Sequence, residues 1–456
     1  FIDVNMTKDN NATSGQIYSK VLERERKGEY LGETVQVIPH VTDEIKDRIR
    51  ALNIPKKYDV IICEVGGTVG DIESLPFMEA IRQLSLEVGY HNHMLVHVTL
   101  LPFVKASGEL KSKPTQHSVM KLREIGLAPD MILCRSEHPI DQSVRDKIAL
   151  FCNVRSDHVI EGRDVSSIYE VPLAMHEQNA GQLIKERLKI EKKPHLGSLK
   201  RFISNYNNPN HDVTIAMCGK YTELIDSYKS VMEAFVHAGV ENNSRVSVKW
   251  IQTDIIKNNK TAKKAFSDVN GILILPGFGS RGAEGKIRSS KYARENKIPF
   301  LGICLGLQCA VIDFARNVAG LKNANSTEFD KKTKYPVIDL MESQKAVKIK
   351  GGTMRLGAYD CEIKPGTRAY AAYRKKKISE RHRHRYEVNN RYRNRLEKSG
   401  LIFSGINSDL GVVETIEIKG HPWFVAGQFH PELKSRVNRA HPLFREFIKA
   451  SVKYTP

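Results

Sequence analysis

The sequence lacks the features that mark secreted, membrane-spanning or repetitive proteins. No apolar run approaches the roughly 20 residues that cross a bilayer, and the opening FIDVNMTKDNN has neither the charge nor the apolar core of a secretory signal. Seven cysteines, at 63, 134, 152, 218, 304, 309 and 361, include no CxxC pair and no zinc spacing. That scatter suits free thiols in a reducing compartment, so a cytoplasmic chain with no membrane partner is expected. No internal repeat is visible, which argues against a solenoid. Acidic residues are short: 52 Asp and Glu stand against 71 Lys and Arg, a formal charge of +19. Such an excess favours polyanionic partners, either nucleic acid or small phosphorylated substrates. What remains is 456 residues, 41% of them hydrophobic, enough for two or three globular domains. The chain opens on Phe1 rather than Met, as though entering mid-domain.

Along the chain, Ser14–Lys27 has helical spacing with Ser14 as N-cap, and TVQVIP (34–39) alternates like a strand. Val60–Cys63 reads as a short buried strand ending at Glu64. It is followed by VGGTVGDIES (65–74) and a helix over Leu75–Val88. A strand, a glycine-rich acidic turn and a helix form the place where open α/β sheets bind ligands. Glu64 is placed as a magnesium ligand beside phosphates would be, or as an ordinary loop carboxylate. His93–Leu101 and Met131–Cys134 read as strands, SGELKSKPTQHS (107–118) as a loop that could cradle phosphate, and Val144–Cys152 as a helix. Composition shifts near residues 193–212, where NYNNPNH suggests a linker between a domain at 1–192 and one at 213–456. Beyond it, strands at 213–218, 246–252 and 271–275 alternate with helices, which predicts a mainly parallel sheet in each domain of an α/β protein.

Ile298–Arg316, IPFLGICLGLQCAVIDFAR, places Cys304 between Gly302 and Gly306, after a strand and before a helix from Leu305. Helix N-termini favour thiolate. Alone, the stretch reads equally as a nucleophile or as a buried cysteine before a core helix. Near the end, GQFHPE (427–432) supplies His430 and Glu432 around a proline that should keep them extended. A cysteine nucleophile needs a base and an acid to orient it, and Cys304, His430 and Glu432 are those types. The basic runs YRKKK (373–377) and RHRHRYEVNNRYRNR (381–395) read as solvated faces or as a nucleic-acid surface.

The second half resembles class I (triad) glutamine amidotransferases, and the chain from end to end is similar to the CTP synthase family. The segments that carry this are GGTVGDIESLPF (66–77), KSKPTQHS (111–118), KIALFCNV (147–154), GKYTEL (219–224), NANSTEF (323–329), GGTMRLG (351–357), RHRHRYEVNN (381–390) and FHPE (429–432). The resemblance implies an N-terminal P-loop-type, dethiobiotin-synthetase-like amidoligase domain and a C-terminal glutaminase domain. It implies Cys304 as nucleophile, His430 as base and then acid, and Glu432 as its orienting partner. Leu305 and Gly277 would donate N–H groups to the oxyanion, and Phe278, Gln308, Glu328 and Arg385 would hold glutamine. In the first domain Glu64 would bind Mg2+ with ATP. Lys111, Lys113, Gln116 and Lys147 would surround UTP, Asp71, Ile72 and Glu73 would read the ring of inhibitory CTP, and Arg135 would contact ATP phosphate. ATP would activate the 4-oxygen of UTP, and ammonia arriving by an internal tunnel would displace it. GTP as activator, a homotetramer and no nucleic-acid partner complete the implied picture.

Three departures stand out. The family's phosphate loop and a second acidic magnesium ligand precede the point where this chain begins, so an incomplete first domain is expected, with a glutaminase-only chain or an assembly partner as the alternative. The join at Ser343–Gly351 is short for the family. Leu275-Pro276-Gly277-Phe278 stands where a Pro-Gly-Gly-Phe run is usual, and Pro276 has no N–H to give.

Overall fold

A computed structural model describes residues 1–54, 57–220, 225–341 and 354–456. The expectation for Ser343–Gly351 lies outside these residues, as do parts of GKYTEL and GGTMRLG. The chain divides into two compact units, Val4–Leu196 and Gly197–Pro456, with Phe1–Asp3 packed on the second.

In the first unit, α1 (Ser14–Arg26) is capped by Thr13 rather than Ser14, since the Thr13 side chain accepts from the Gln16 N–H and Gln16 reaches back. Helices α2 (Thr42–Arg50) and α3 (Leu75–Val88) follow. Strands β1 (Val96–Leu100), β4 (Met131–Ser136) and β5 (Val159–Arg163) form a parallel sheet in the order β1-β4-β5. A small hairpin joins β2 (Phe103–Val104) to β3 (Glu109–Leu110). Helices α4 (Lys113–Glu124) and α5 (Gln142–Cys152) cover the sheet around Leu101, Val119, Ile132 and Ile148. Helices α6 (Val171–Glu177) and α7 (Ala180–Leu188) complete the unit.

Four local expectations are corrected here. TVQVIP forms no strand: Val37–Val41 winds into a π-helical turn leading into α2, with the Thr42 hydroxyl bonded to the Pro39 carbonyl. Val60–Cys63 is neither a strand nor buried. Val60 and Ile62 are 46% and 84% exposed, because no strand among the described residues pairs with them. The loop at 107–118 ends early, since Pro114 sits in the first turn of α4, where its missing N–H costs nothing. The linker at 193–212 holds α8 (Gly197–Asn207), whose Leu199 and Phe202 are buried, and the start of β6 (His211–Gly219).

The second unit is built on a nine-stranded sheet. Helix α9 (Lys229–Glu241) follows β6, then β7 (Ser244–Gln252), α10 (Asn259–Phe266), β8 (Gly271–Ile274), α11 (Ala283–Glu295), β9 (Phe300–Ile303) and α12 (Leu305–Asn317). Short β10 (Asn325–Ser326), β11 (Pro336–Leu340) and β14 (Tyr386–Val388) make a side sheet. The main sheet also takes β12 (Arg355–Ile363), β13 (Lys377–His384), β15 (Leu401–Asn407), β16 (Val412–Ile418) and β17 (Phe424–Gly427). Its order is β13-β12-β15-β16-β17-β9-β8-β6-β7. The five strands from β17 to β7 are parallel, and the four from β13 to β16 form an antiparallel extension. The strands β8, β9 and β17 are buried along their whole length and β6 from Ile215 onward, as a sheet covered on both faces requires. At the centre the rings of Phe300 and Phe424 stack 4.1 Å apart across β9 and β17. The carboxyl ends of these two strands, side by side, are where the candidate site forms.

Candidate active site

Buried β9 ends at Ile303, and α12 begins two residues later. The turn between them is tight enough to exclude side chains at its glycines. A methyl on Gly302 would lie 2.8 Å from Ala426 Cβ, and one on Gly306 would lie 2.6 Å from the Ile274 carbonyl oxygen. Cys304 itself takes φ +53° and ψ −101°, a conformation that a residue with a Cβ holds only when its surroundings enforce it. The enforcement is visible: its N–H donates to the Gly427 carbonyl at 2.7 Å, locking the turn to the end of β17. The first N–H groups of α12, starting with Leu305, have no carbonyl within the helix to bond.

The same strand end delivers the histidine. Past Gly427, the Gln428 N–H donates to the Glu414 carbonyl at 2.8 Å and the His430 N–H to the Arg381 carbonyl at 2.8 Å, pinning the segment to β16 and β13. His430 Nδ1 and Glu432 Oε1 are 2.7 Å apart. The proline between them starts a 3-10 turn, Pro431–Lys434, rather than extending the segment as expected, and this turn folds Glu432 back onto the imidazole. His430 Nε2 is buried without a hydrogen-bond partner among the described residues. Burial opposes charge on this ring, but Cys304 and Glu432 outweigh it and raise the imidazole to about 10. Gln428, which the sequence reading left without a role, points its Nε2 at Cys304 Sγ from 3.6 Å.

Around the thiol, the Gly279 N–H donates to Glu328 Oε1 at 2.7 Å, and burial raises the Glu328 carboxyl. Gln308 is 3% exposed. Its Nε2 donates to the Tyr386 carbonyl at 2.9 Å and to Gln428 Oε1 at 3.3 Å, while its Oε1 is buried without a partner among the described residues. Phe278 is 47% exposed at the rim, and Gly277 lies beside Leu305. Arg385 and Glu328 are both near enough to the Tyr386 phenol to act on it electrostatically, in opposite directions.

In the first unit the expected residues are more open. Glu64, Asp71, Ile72 and Glu73 are exposed in one loop, and Asp71 accepts from the Thr68 N–H at 3.1 Å. Lys111 pairs with Glu109, whose carboxylate also feels Lys147, so hairpin and α5 present their lysines together. Lys113 lies over the Phe151 ring at 5.6 Å. Gln116 is instead buried and donates to the Ser112 hydroxyl at 3.0 Å. Arg135 pairs with Asp164 at 3.0 Å on the surface. Among the described residues no cluster of three metal-ligating side chains occurs.

Residues 1–190 match the family model described as CTP synthase N-terminus, and residues 223–450 match glutamine amidotransferase class-I. A CTP synthase of Caldanaerobacter subterraneus subsp. tengcongensis is 56% identical over 99% of this chain and 84% of its own length. The chain belongs to the CTP synthase family. The Methanocaldococcus jannaschii CTP synthase is 53% identical over 99% of this chain and 84% of its own length. Among solved structures, the Trypanosoma brucei CTPS glutaminase domain with bound acivicin aligns with a TM-score of 0.50 and 35% identity, covering 54% of this chain and 95% of that one. CTP synthases are glutamine-hydrolysing ligases that form a C–N bond, and this chain carries both of their domains.

The basic run of this CTP synthase chain is a solvated face only in part: Arg383, Arg391 and Arg395 are exposed, but alternate residues turn inward. His382, His384 and Glu387 are buried, and Arg355, 3% exposed, reaches Glu387 at 3.2 Å and Glu414 at 2.6 Å. Burial raises both carboxyls to about 7 against the pull of that single guanidinium. His382 Nδ1 and His384 Nε2 are 2.9 Å apart, and burial pushes both imidazoles well below the usual range. This polar layer lies along β13, which anchors His430, and β14, and these two strands flank Arg385.

Proposed function

We propose that the chain makes CTP from UTP by dividing the work between its two units, with Cys304, His430 and Glu432 as the glutamine-hydrolysing machinery of the second. Cys304 Sγ, its proton already passed to His430 Nε2, attacks the side-chain amide carbon of glutamine. That proton passes to the leaving nitrogen as the C–N bond breaks, releasing ammonia and leaving a thioester that water cleaves to glutamate. The Leu305 and Gly277 N–H groups receive the oxyanion. Phe278, Gln308 and Glu328 line the side chain and amine of glutamine, and Arg385 takes its carboxylate. The observation that carries this reading is the 2.7 Å contact of His430 Nδ1 with Glu432, which leaves Nε2 for the thiol.

In the first unit Lys111, Lys113 and Lys147 meet UTP phosphates and Gln116 the pyrimidine. Arg135 meets ATP phosphate, and Asp71, Ile72 and Glu73 meet inhibitory CTP. Mg2+ takes one or two carboxylates together with phosphate and water oxygens, so the exposed Glu64 suits it as a single protein ligand. When bound, the ion neutralises phosphate charge. GTP activation, tetramer assembly and a cytoplasmic location belong to the same proposal.

The test separates the two reactions. Cys304→Ala should abolish glutamate release from glutamine while amination of UTP by free ammonia continues. Persistent hydrolysis would overturn the nucleophile assignment, and loss of the ammonia-driven reaction would break the two-site reading.

A further inference from the structure

Lys286 has no place in the reaction above, yet α11 carries it into the interior with 2% of its surface exposed. Its Nζ donates to the Leu275 carbonyl at 2.9 Å, and among the described residues it forms no ion pair with a carboxylate. An ammonium in that position is expensive to desolvate, and an aliphatic side chain of similar length would fill the same space without the penalty. Burial lowers its pKa, opposed by the nearby thiols of Cys309, Cys218 and Cys304.

The surroundings show what the cation faces. A methyl on Gly277 would come to 3.5 Å from Lys286 Nζ and 3.6 Å from Leu305 Cδ2, so the ammonium stands beside the main chain of Gly277 with Leu305 next to it. The same turn is tied at two further points, the Gly279 N–H on Glu328 at 2.7 Å and the Phe278 carbonyl on Lys220 Nζ at 3.2 Å. Leu275 N–H is fixed on the Cys218 carbonyl at 3.0 Å. Pro276 cannot donate and its ring fixes φ, so the Leu275 carbonyl is the anchor point just before the first N–H of the turn, that of Gly277. Lys286 holds that carbonyl from the buried side.

We propose that Lys286 is a positioning residue of the glutamine-hydrolysing step. Its buried amine clamps the Leu275 carbonyl and sets positive charge beside the Gly277 main chain, so that it serves the tetrahedral intermediate more than the bound substrate. This rests on the oxyanion reading given above. A preorganised charge close to where negative charge develops acts on the chemical step, because it need not reorganise as the reaction proceeds.

Steady-state glutamate release and ammonia-dependent CTP formation, measured on the intact protein, test it. Lys286→Met should lower kcat for glutamate release about tenfold or more, with KM for glutamine within about threefold. The ammonia-dependent rate should not change. Lys286→Gln, which keeps an N–H donor without the charge, should lose less than Lys286→Met. A rise in KM with kcat preserved would overturn the proposal. So would an equal fall of the glutamine- and ammonia-dependent rates in folded protein, the mark of a structural role. If Lys286→Met fails to fold, Lys286→Gln is read by the same criteria, and an unchanged kcat there overturns the proposal. Hydrolysis surviving in Cys304→Ala would instead sink the underlying nucleophile reading, whatever Lys286 does.

Discussion

Glu432 is the residue through which pH acts on the glutaminase unit. Together with Cys304 it raises His430 to about 10, so the ring is protonated across the neutral range and loses its proton only in strong base. An imidazolium is what the departing nitrogen needs. Glu432→Gln removes one of the two charges that favour the proton, and the alkaline limb of kcat/KM for glutamine should fall by about one pH unit or more. A pH–rate profile checks this. The stability that Glu432 lends through His430 has the matching sign. It is fully present below the ring's ordinary 6.5 and disappears as pH rises through about 10. Unfolding of the variant should therefore differ most from the parent at neutral pH and below. Residues such as Cys304, His430 and Glu432 were legible in the sequence because each sits in a short local pattern whose chemistry shows in its spacing. Lys286 and Gln428 were not, because nothing in GAEGK or GQFHPE says which way those side chains turn once strands and helices pack.

At the scale of elements, the polar layer between β12, β14 and β16 is the part most exposed to a single change. Arg355 offsets two buried carboxylates, and Arg355→Met would leave Glu387 and Glu414 facing each other without a cation. The expected loss is about 3–5 kcal/mol, read as a lower urea midpoint. Its pH dependence follows from carboxyls whose folded values, about 7, lie above the ordinary 4.5. Such groups bind protons more tightly when folded. Their stabilisation is complete below 4.5 and is lost as pH rises through about 7, so the variant should suffer less at pH 5.5 than at pH 8. The sequence showed RHRHRYE only as charge, open to a solvated or nucleic-acid reading. Burial of alternate residues in β13 depends on pairing with β12, more than 20 residues away at the matched Arg355 and His384. For the same reason the antiparallel half of the main sheet went unread, whereas the parallel βα alternation, local in sequence, was predicted. Val60–Cys63 erred the other way: its composition suits a strand, but a strand exists only with a neighbour to pair.

For the whole molecule, the two units differ in how well they are closed. The second buries a nine-stranded sheet on both faces. Among the described residues the first has a three-stranded parallel sheet and a small hairpin, and β1 leaves Val96, Val98 and Leu100 at 42%, 56% and 65% exposure. Unfolding should therefore occur in two stages, with amide protection lost first in the first unit. Residues 191–195, exposed and without regular structure, are where a protease should cut. The fragment 197–456 is expected to hydrolyse glutamine but not to aminate UTP, which mass spectrometry and the two assays together would check.

The left-handed main chain at Cys304 has a practical consequence. Because the turn is held by Gly427 and by the closeness of Gly302 and Gly306, the thiol is presented before any substrate arrives. Six of the seven thiols are buried and Cys63 is exposed, and of the buried ones Cys304 has an imidazolium as its neighbour. In a Cys63→Ser background, a limiting amount of an alkylating glutamine mimic thus becomes a counting reagent. Each equivalent consumed would report one correctly bent elbow, and a preparation could be graded by its fraction of competent molecules rather than by its mass.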